Sequence, residues 1–477
     1  MVVRLDGRSL TIDALVAVAA GHARTEVDPA ALMVIDQRHA VLHAARERGV
    51  VYGANTGVGA NRHEHSDSDG EHALRLLRSH CAGAGPVEDE VTARAAMTTR
   101  LNQILAGGSG ISRGVVEALA EAVRAGAVPT LHSWGAIGTA DLAALAELGL
   151  TLAGERPWRS GSGPVTIIDA TDALPIISSS ALTVAIAALA LDRVRIQLRA
   201  SVVVAALSFL ALRGNAGAFD AAVHQARAHP GQVEVAAVLR RLVAGCGAPA
   251  RVQDPFGLRV MPQVSAPAFQ AARVLGEVIT AELNAAVENP LVTDDGVRHH
   301  GQFHTATLAS SLDAVRGTFL PVLSLSAARL GLLMRPDLTG LRAFLAAGPA
   351  GSSGLLISEY VAHDLLTEIR VGMQPIAAGT LTISLGLEEH ASFATQGARA
   401  LRSMSSLSPT LLGAELVAAV RALRMAPGRL PGGPARHAFE LAAAVLDAEV
   451  DDRPLGADLE RAVELLPALA QAVGDEL

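Results

Sequence analysis

Apolar and polar positions repeat with a helical period over most of this chain. Leu10-Thr11-Ile12-Asp13 leads into an amphipathic run, and Asp28-Pro29-Ala30-Ala31 sets a capping carboxylate before a proline at the first helical position. With a short strand pair, these account for the segment up to about residue 50. Periodicity resumes at Leu74 and carries Ser79-His80. A Gly-rich turn, Ala106-Gly107-Gly108-Ser109-Gly110, then separates two helices. After Pro175-Ile176-Ile177-Ser178-Ser179-Ser180 comes an Ala-rich helix reaching about Leu212. From about residue 200 helix follows helix, and two more close the chain beyond Pro427. The pattern predicts a mainly α protein: residues 1–200 form a small N-terminal α/β portion carrying Gly-rich loops, and 201–477 a long central helical bundle with C-terminal helices. No internal repeat of 20–50 residues interrupts it.

Composition narrows the class. Half of the 477 residues are hydrophobic but only 3% are aromatic, so the core is aliphatic and large. Apolar runs are broken by Arg, Asp, Glu or Gly before they reach the ~20 residues of a membrane span. The nearest case, Ser201–Leu212, reads as a buried helix. The start, Met1-Val2-Val3-Arg4-Leu5-Asp6, has no signal-peptide apolar region. Two cysteines, Cys81 and Cys246, make no disulfide framework, and a reducing cytoplasm is the expected location. Net charge is −8, every basic residue is Arg, and no basic block stands out, so neither nucleic acid nor membrane is an expected partner.

Candidate chemistry gathers in the interruptions. Val51-Tyr52-Gly53-Ala54-Asn55-Thr56-Gly57-Val58-Gly59 puts one of only two tyrosines on a Gly-rich loop. The polar run from Asn61 to His72 reads as a mobile lid. It holds His63, His65 and His72 with Glu64, Asp67 and Asp69, but lacks recognisable zinc spacing, and no metal is expected. Trp134-Gly135-Ala136-Ile137-Gly138-Thr139-Ala140-Asp141-Leu142 is either a tight turn before a buried helix, capped by Asp141, or a reactive loop at a helix N-terminus. Later polar clusters are Gln253-Asp254-Pro255-Phe256-Gly257-Leu258-Arg259 with Pro262-Gln263, and His299-His300-Gly301-Gln302-Phe303-His304. Another, Glu388-Glu389-His390, is expected inside an apolar helical region. Neither Gly-rich turn matches a phosphate-binding loop.

In this order the segments resemble the aromatic amino acid ammonia-lyase family: the histidine, phenylalanine and tyrosine ammonia-lyases and related aminomutases. The resemblance spans nearly the whole chain. It rests on the Tyr52 loop, Ser79-His80, Arg100-Leu101-Asn102 with Gly108-Ser109-Gly110, Gln253-Asp254-Pro255, Pro262-Gln263, Glu288-Asn289-Pro290 and Gly301-Gln302-Phe303-His304. It implies an ammonia-lyase-like fold and a homotetramer whose pockets combine residues from three subunits, with a small-molecule substrate. It also implies an electrophile, 4-methylideneimidazole-5-one (MIO), made when an Ala-Ser-Gly tripeptide cyclises and loses two waters. Aligned on Asp141-Leu142, that tripeptide is Gly138-Thr139-Ala140, with no usual residue kept. Dehydrating Thr139 would leave a methyl on the electrophilic carbon, and Ala140 adds a Cβ where ring closure favours Gly. MIO is therefore not expected. Further departures are Ser178-Ser179-Ser180 for the family's Asn-Gly-Thr, Phe256 for a tyrosine and Leu387-Glu388 for Gln-Glu.

By the same resemblance, Tyr52 matches the catalytic base, Arg259 the carboxylate anchor, and His80 and Glu388 further pocket residues. Asn289, Gln302, Ser178 and Phe256 complete the expected substrate-binding set. A guanidinium fork suits a carboxylate. Tyr52 can act as a base only if its pKa falls well below ~10, and His80, Arg259 and the loop backbone are the groups expected to lower it. Taken singly, each residue has a plain structural explanation: Arg259 an ion pair, Glu388 a paired buried acid, Tyr52 packing against the lid. Three readings stay open. One is an MIO-free enzyme that uses Tyr52 for elimination, isomerisation, addition or cyclisation on a small carboxylate or carbonyl substrate, in specialised biosynthesis. The others are a non-catalytic paralogue that binds a ligand or partner, and an ammonia-lyase with a non-standard MIO triad.

Overall fold

The computed structural model describes residues 1–66, 70–474 and 477. Asp67 and Asp69 of the polar run lie outside them. The chain is mainly helical, with three two-stranded sheets among the described residues. The N-terminal strand pair is parallel: β1 (Val2–Leu5) lies beside β2 (Arg24–Val27), joined by α1 (Ile12–Ala19). Thr11 caps α1 by accepting from the Ala14 amide, and Asp28 caps α2 (Pro29–Arg48) by accepting from the Ala30 amide. Both starts follow from the local sequence, since a short oxygen-bearing side chain satisfies an otherwise orphaned N–H.

Two compact units make up the chain. The first comprises residues 1–192, 275–313 and 375–402; the second comprises 193–274, 314–374 and 403–477. The linear division expected at about residue 200 thus misses two later returns to the first unit. Four of the five cuts fall inside long helices, at Ala181–Ala211, Met261–Leu283, Ala306–Leu333 and Ala394–Met425. Periodicity reads such a helix as one element and carries no mark of where it changes unit.

Helix Ala181–Ala211 is Ala- and Leu-rich and mostly buried, with a polar, partly exposed middle from Asp192 to Arg199. By length and composition, two helical stretches could cross a membrane, yet 94% and 78% of their apolar windows are buried within the protein. In the second unit a buried polar knot ties three helices. Glu415 accepts from Arg329 Nε at 2.6 Å and Nη2 at 2.9 Å, and from the hydroxyls of Ser208 and Ser326 at 2.6 Å each. Such a pair holds only because its remaining lone pairs are satisfied, and losing one partner typically costs about 3–5 kcal/mol.

The first unit has its own knot. Arg100 donates to Glu288 at 2.9 Å and to the carbonyls of Pro175 and Ile176, joining three stretches singled out in the sequence. Glu288 then hands the chain to Asn289 at the edge of the main cavity.

Candidate active site

The first unit encloses a cavity of about 740 Å³. Tyr52, His80, Ser178, Asn289, Glu388, Thr139 and Ala140 all line it. Residues far apart in sequence are thus brought together, from the Tyr52 loop and the 135–140 loop among others, while the Gly-rich turn at 106–110 contributes none.

The Tyr52 loop is held by its own side chains. Asn55 Oδ1 accepts from the Val51 amide at 2.8 Å, and Thr56 Oγ1 accepts from the Gly53 amide at 3.1 Å. The loop closes on the tyrosine itself, whose hydroxyl accepts from the Gly59 amide at 2.7 Å. The His299 ring stands edge-on to Tyr52, with centroids 6.4 Å apart. Burial raises the Tyr52 pKa above its usual value; the Gly59 amide opposes this, the charge of Glu388 adds to it, and Arg62 again opposes it. The depression expected from the sequence is therefore corrected. At rest Tyr52 is a neutral phenol, because a low-dielectric wall beside a carboxylate disfavours phenolate.

His80 ends the helix Gly70–His80. Its Nδ1 lies 2.9 Å from the Leu76 carbonyl, which can only accept, so Nδ1 carries the proton and Nε2 is left for a ligand. Ser178 accepts from the Asn289 amide at 3.2 Å, and Asn289 Oδ1 accepts from the His300 amide at 3.0 Å.

Glu388 lies outside any α-helix, contrary to the sequence expectation. Helix Leu356–Val371 ends well before it and Ala394–Met425 begins after it. A turn at Ser384–Gly386, with Leu385 at φ 53°, intervenes. Apolar residues alone suggested the helix, but Gly372, Pro375, Gly379 and Gly386 break it.

The tripeptide loop is strapped down at three successive carbonyls. Gln396 Nε2 donates to Ala136 O at 2.9 Å and the Phe393 amide to Ile137 O at 2.9 Å. The hydroxyls of Thr305 and Ser392 both lie 2.7 Å from Gly138 O. A Cβ on Gly138 would come within 2.2 Å of Ser392 Oγ and 2.6 Å of the Ala394 nitrogen, at φ +84°. The alanine with which the family's tripeptide begins has no room here. With Thr139 and Ala140 in the next two places, the residues present do not fit the prosthetic group. Asp141 also departs from expectation: it makes no side-chain cap on its own helix, Leu142–Leu152. Its carboxylate instead accepts from the Thr183 amide at 2.8 Å and Thr183 Oγ1 at 2.7 Å, at the start of helix Ala181–Ala211. Burial raises its pKa to about 6, against those two hydrogen bonds and the Arg399 charge.

Arg259 and Phe256 belong to the second unit and do not line the cavity. The Arg259 guanidinium stacks 4.7 Å from the Phe256 ring centroid. Gln302 is exposed and Gly138 is buried behind its neighbours, and neither lines the cavity. Several lining residues had no assigned role: Arg62, His299, His304, Ser384 and His390. His304 Nε2 and His390 Nδ1 are 3.0 Å apart, and burial, then His390, lower the His304 pKa. At that separation one of the two facing nitrogens donates and the other accepts. The polar clusters marked these histidines, whereas Arg62 was hidden in the run read as a lid. Among the described residues, no group of three or more His, Cys, Asp or Glu side chains could hold a metal ion.

With this geometry in place, the comparisons are direct. The chain belongs to the aromatic amino acid lyase family, whose sequence profile matches residues 10–444. It is 29% identical over 489 aligned residues to a histidine ammonia-lyase of Alkaliphilus metalliredigens, covering 97% of this chain and 96% of that one. The crystal structure of histidine ammonia-lyase from Trypanosoma cruzi superposes with a TM-score of 0.91 at 28% identity, covering 100% of this chain and 96% of that one. A tyrosine aminomutase from Streptomyces globisporus gives a TM-score of 0.91 at 25% identity, covering 100% and 99%. The ammonia-lyase fold expected from the sequence is therefore the fold of this protein.

Proposed function

We propose that this chain is an ammonia-lyase-like enzyme that works without MIO, in which Tyr52 moves the proton. The observation that carries this reading is Gly138. Its Cβ position is filled by Ser392 and the Ala394 backbone, and its carbonyl is held by two hydroxyls, in a loop whose next two residues are Thr139 and Ala140. An uncyclised peptide accounts for every one of those contacts. Opposite it, Tyr52, His80 and Glu388 remain together on one cavity. The fitting chemistry is elimination, isomerisation, addition or cyclisation beside a carboxylate or carbonyl, as a step in specialised biosynthesis.

Tyr52 starts as an acid. It becomes a base when a cation settles beside it, and Arg62 is the cavity-lining cation that already pulls its pKa down. Arg62 makes no side-chain hydrogen bond or ion pair with the described residues, so its fork is available to an acidic substrate. Self-association supports a more complete pocket. Val252, Phe256, Ile357, Tyr360, Val371 and Leu385 are exposed apolar residues, which suits the tetramer implied by the family, with Arg259 reaching a neighbour's pocket. A cytoplasmic location accords with two unpaired cysteines.

A second reading has one observation in its favour. Two hydroxyls on Gly138 O would also polarise that carbonyl toward attack by the Ala140 nitrogen. Intact-protein mass spectrometry separates the two. The expected mass is that of the unmodified chain; a mass lower by two waters would overturn the MIO-free reading.

A further inference from the structure

The second unit holds a smaller cavity, of about 200 Å³, whose charge is not explained by the structure around it. Arg213 and Arg429 both line it, with Gly214, Gly247 and Gly428, and no Asp or Glu is among its described lining residues. Arg429 donates to the carbonyls of Ala211 and Thr339, at 2.7 Å each. The first of these closes helix Ala181–Ala211, and among the described residues no carboxylate pairs with the guanidinium. Burial, then the charge of Arg213, lower the Arg429 pKa, which places the two cations within electrostatic reach of each other.

Arg213 stands at the end of helix Ala181–Ala211. Its amide donates to Leu210 O at 3.1 Å and the Gly214 amide to Phe209 O at 3.0 Å, a C-terminal turn that needs a left-handed residue. Arg213 fills that place at φ 53°, although glycine is the usual occupant and an L side chain is disfavoured. Among the described residues its guanidinium has no hydrogen bond or ion pair. A plain explanation is that a cation complements a helix C-terminus. Arg429 already does that by donating to Ala211 O. Arg213 is solvent-exposed and Arg429 half-buried, so water screens part of their repulsion, and an anion seated between them would remove the rest. Glycine at 214 lets the backbone lie against the Phe209 ring, where a Cβ would approach to 2.3 Å, so the cavity has a firm apolar floor.

We propose that this cavity is an oxyanion site in which Arg213 and Arg429 together bind a phosphoryl group, either inorganic phosphate or a small phosphate monoester. Arg213 offers its fork and Arg429 the N–H groups not engaged by the Ala211 and Thr339 carbonyls, and the volume admits a tetrahedral dianion. Occupancy would fix the end of helix Ala181–Ala211 to the turn at Gly428-Arg429, and so would stabilise the second unit.

The test uses the full-length protein and does not require its substrate. Thermal unfolding is followed in inorganic phosphate, glycerol phosphate and acetate, against sodium chloride at equal ionic strength and pH. Phosphate should raise the midpoint along a saturating curve, and Arg213→Gln should abolish the saturating component. In chloride, Arg213→Gln should melt at or above the parent temperature, because it removes a like-charge contact and no hydrogen bond. Arg213→Lys should retain a weakened response, and calorimetric titration of the parent protein with phosphate gives a reading that needs no variant. If glycerol phosphate binds as well as phosphate, a monoester is the ligand; if it binds tenfold more weakly, free phosphate is. A response that never saturates, one that survives Arg213→Gln, or one matched by acetate would overturn the proposal.

Discussion

Gly53 and Gly138 both sit at positive φ, 71° and 84°, in loops that serve the same cavity, yet different things close them in. A Cβ on Gly53 would meet the tip of the Leu174 side chain at 2.2 Å, and that tip can turn away. A Cβ on Gly138 would meet a hydrogen-bonded hydroxyl and two backbone nitrogens, which cannot. The Tyr52 loop is therefore stabilised from within and can adjust around a ligand, while the 138–140 loop is fixed from outside by residues 305 and 392–396. The contrast parallels the chemistry. The adjustable loop keeps the family's tyrosine, and the fixed one is where this chain departs from the Ala-Ser-Gly tripeptide. A glycine in place of alanine is here a packing requirement.

The largest effect should fall on turnover. Tyr52→Phe removes one hydroxyl and its bond from the Gly59 amide, so the fold should persist while kcat drops by about 10²–10⁴-fold. Thr139→Ala, across the cavity, should leave kcat close to the parent value. Steady-state kinetics on any substrate found will compare them. Activity lost with Thr139→Ala but kept with Tyr52→Phe would reverse the roles given to the two loops.

Stability should separate the glycines next. Gly138→Ala should cost about 2–4 kcal/mol, from a left-handed alanine plus a clash that only backbone movement can relieve. Gly53→Ala should cost about 1 kcal/mol, mostly the backbone term. Denaturant unfolding of both variants is the check, and equal losses would mean that the 138–140 loop is as adjustable as the other.

The remaining effect is a pH dependence at Asp141, which anchors the fixed loop. Its folded pKa, raised to about 6, lies above the usual carboxylate value, so the folded state binds the proton more tightly than the unfolded chain. Its contribution is then fully present below about pH 4 and is lost as pH rises to about 6, by at most about 3 kcal/mol. Asp141→Asn should flatten that part of the stability-versus-pH curve. An unchanged slope would show that the Asp141 pKa is the same in the folded and the unfolded chain.

Much of the fold was legible because its causes are local. Thr11 and Asp28 cap helices from their own sequence context, and the apolar run from Ala181 to Ala211 could only be a buried helix. Asp141 misled for the opposite reason. Its neighbours say helix cap, but Thr183, forty-two residues further on, competes for the same carboxylate and wins two hydrogen bonds. Glu388 misled because hydrophobicity outweighed the glycines and the proline around it. In the cavity, the residues read from family motifs did meet, with Arg259, Phe256, Gln302 and Gly138 as exceptions. Arg62 carried no signal at all, since an arginine in a polar run looks the same whether it faces solvent or a cavity.

By itself the sequence determined the helical class, the helix starts at Thr11 and Asp28, the family, and the fact that the tripeptide differs from Ala-Ser-Gly. Those properties depend on periodicity, caps and residue identity, which act within a few neighbours. Only the tertiary structure decided that Gly138 has no space for a Cβ, that burial and Glu388 raise the Tyr52 pKa, and that Arg213 and Arg429 line one small cavity with no Asp or Glu among its described lining residues. Steric exclusion, desolvation and Coulomb interaction depend on distance through space, and the chain order of these residues does not encode that distance.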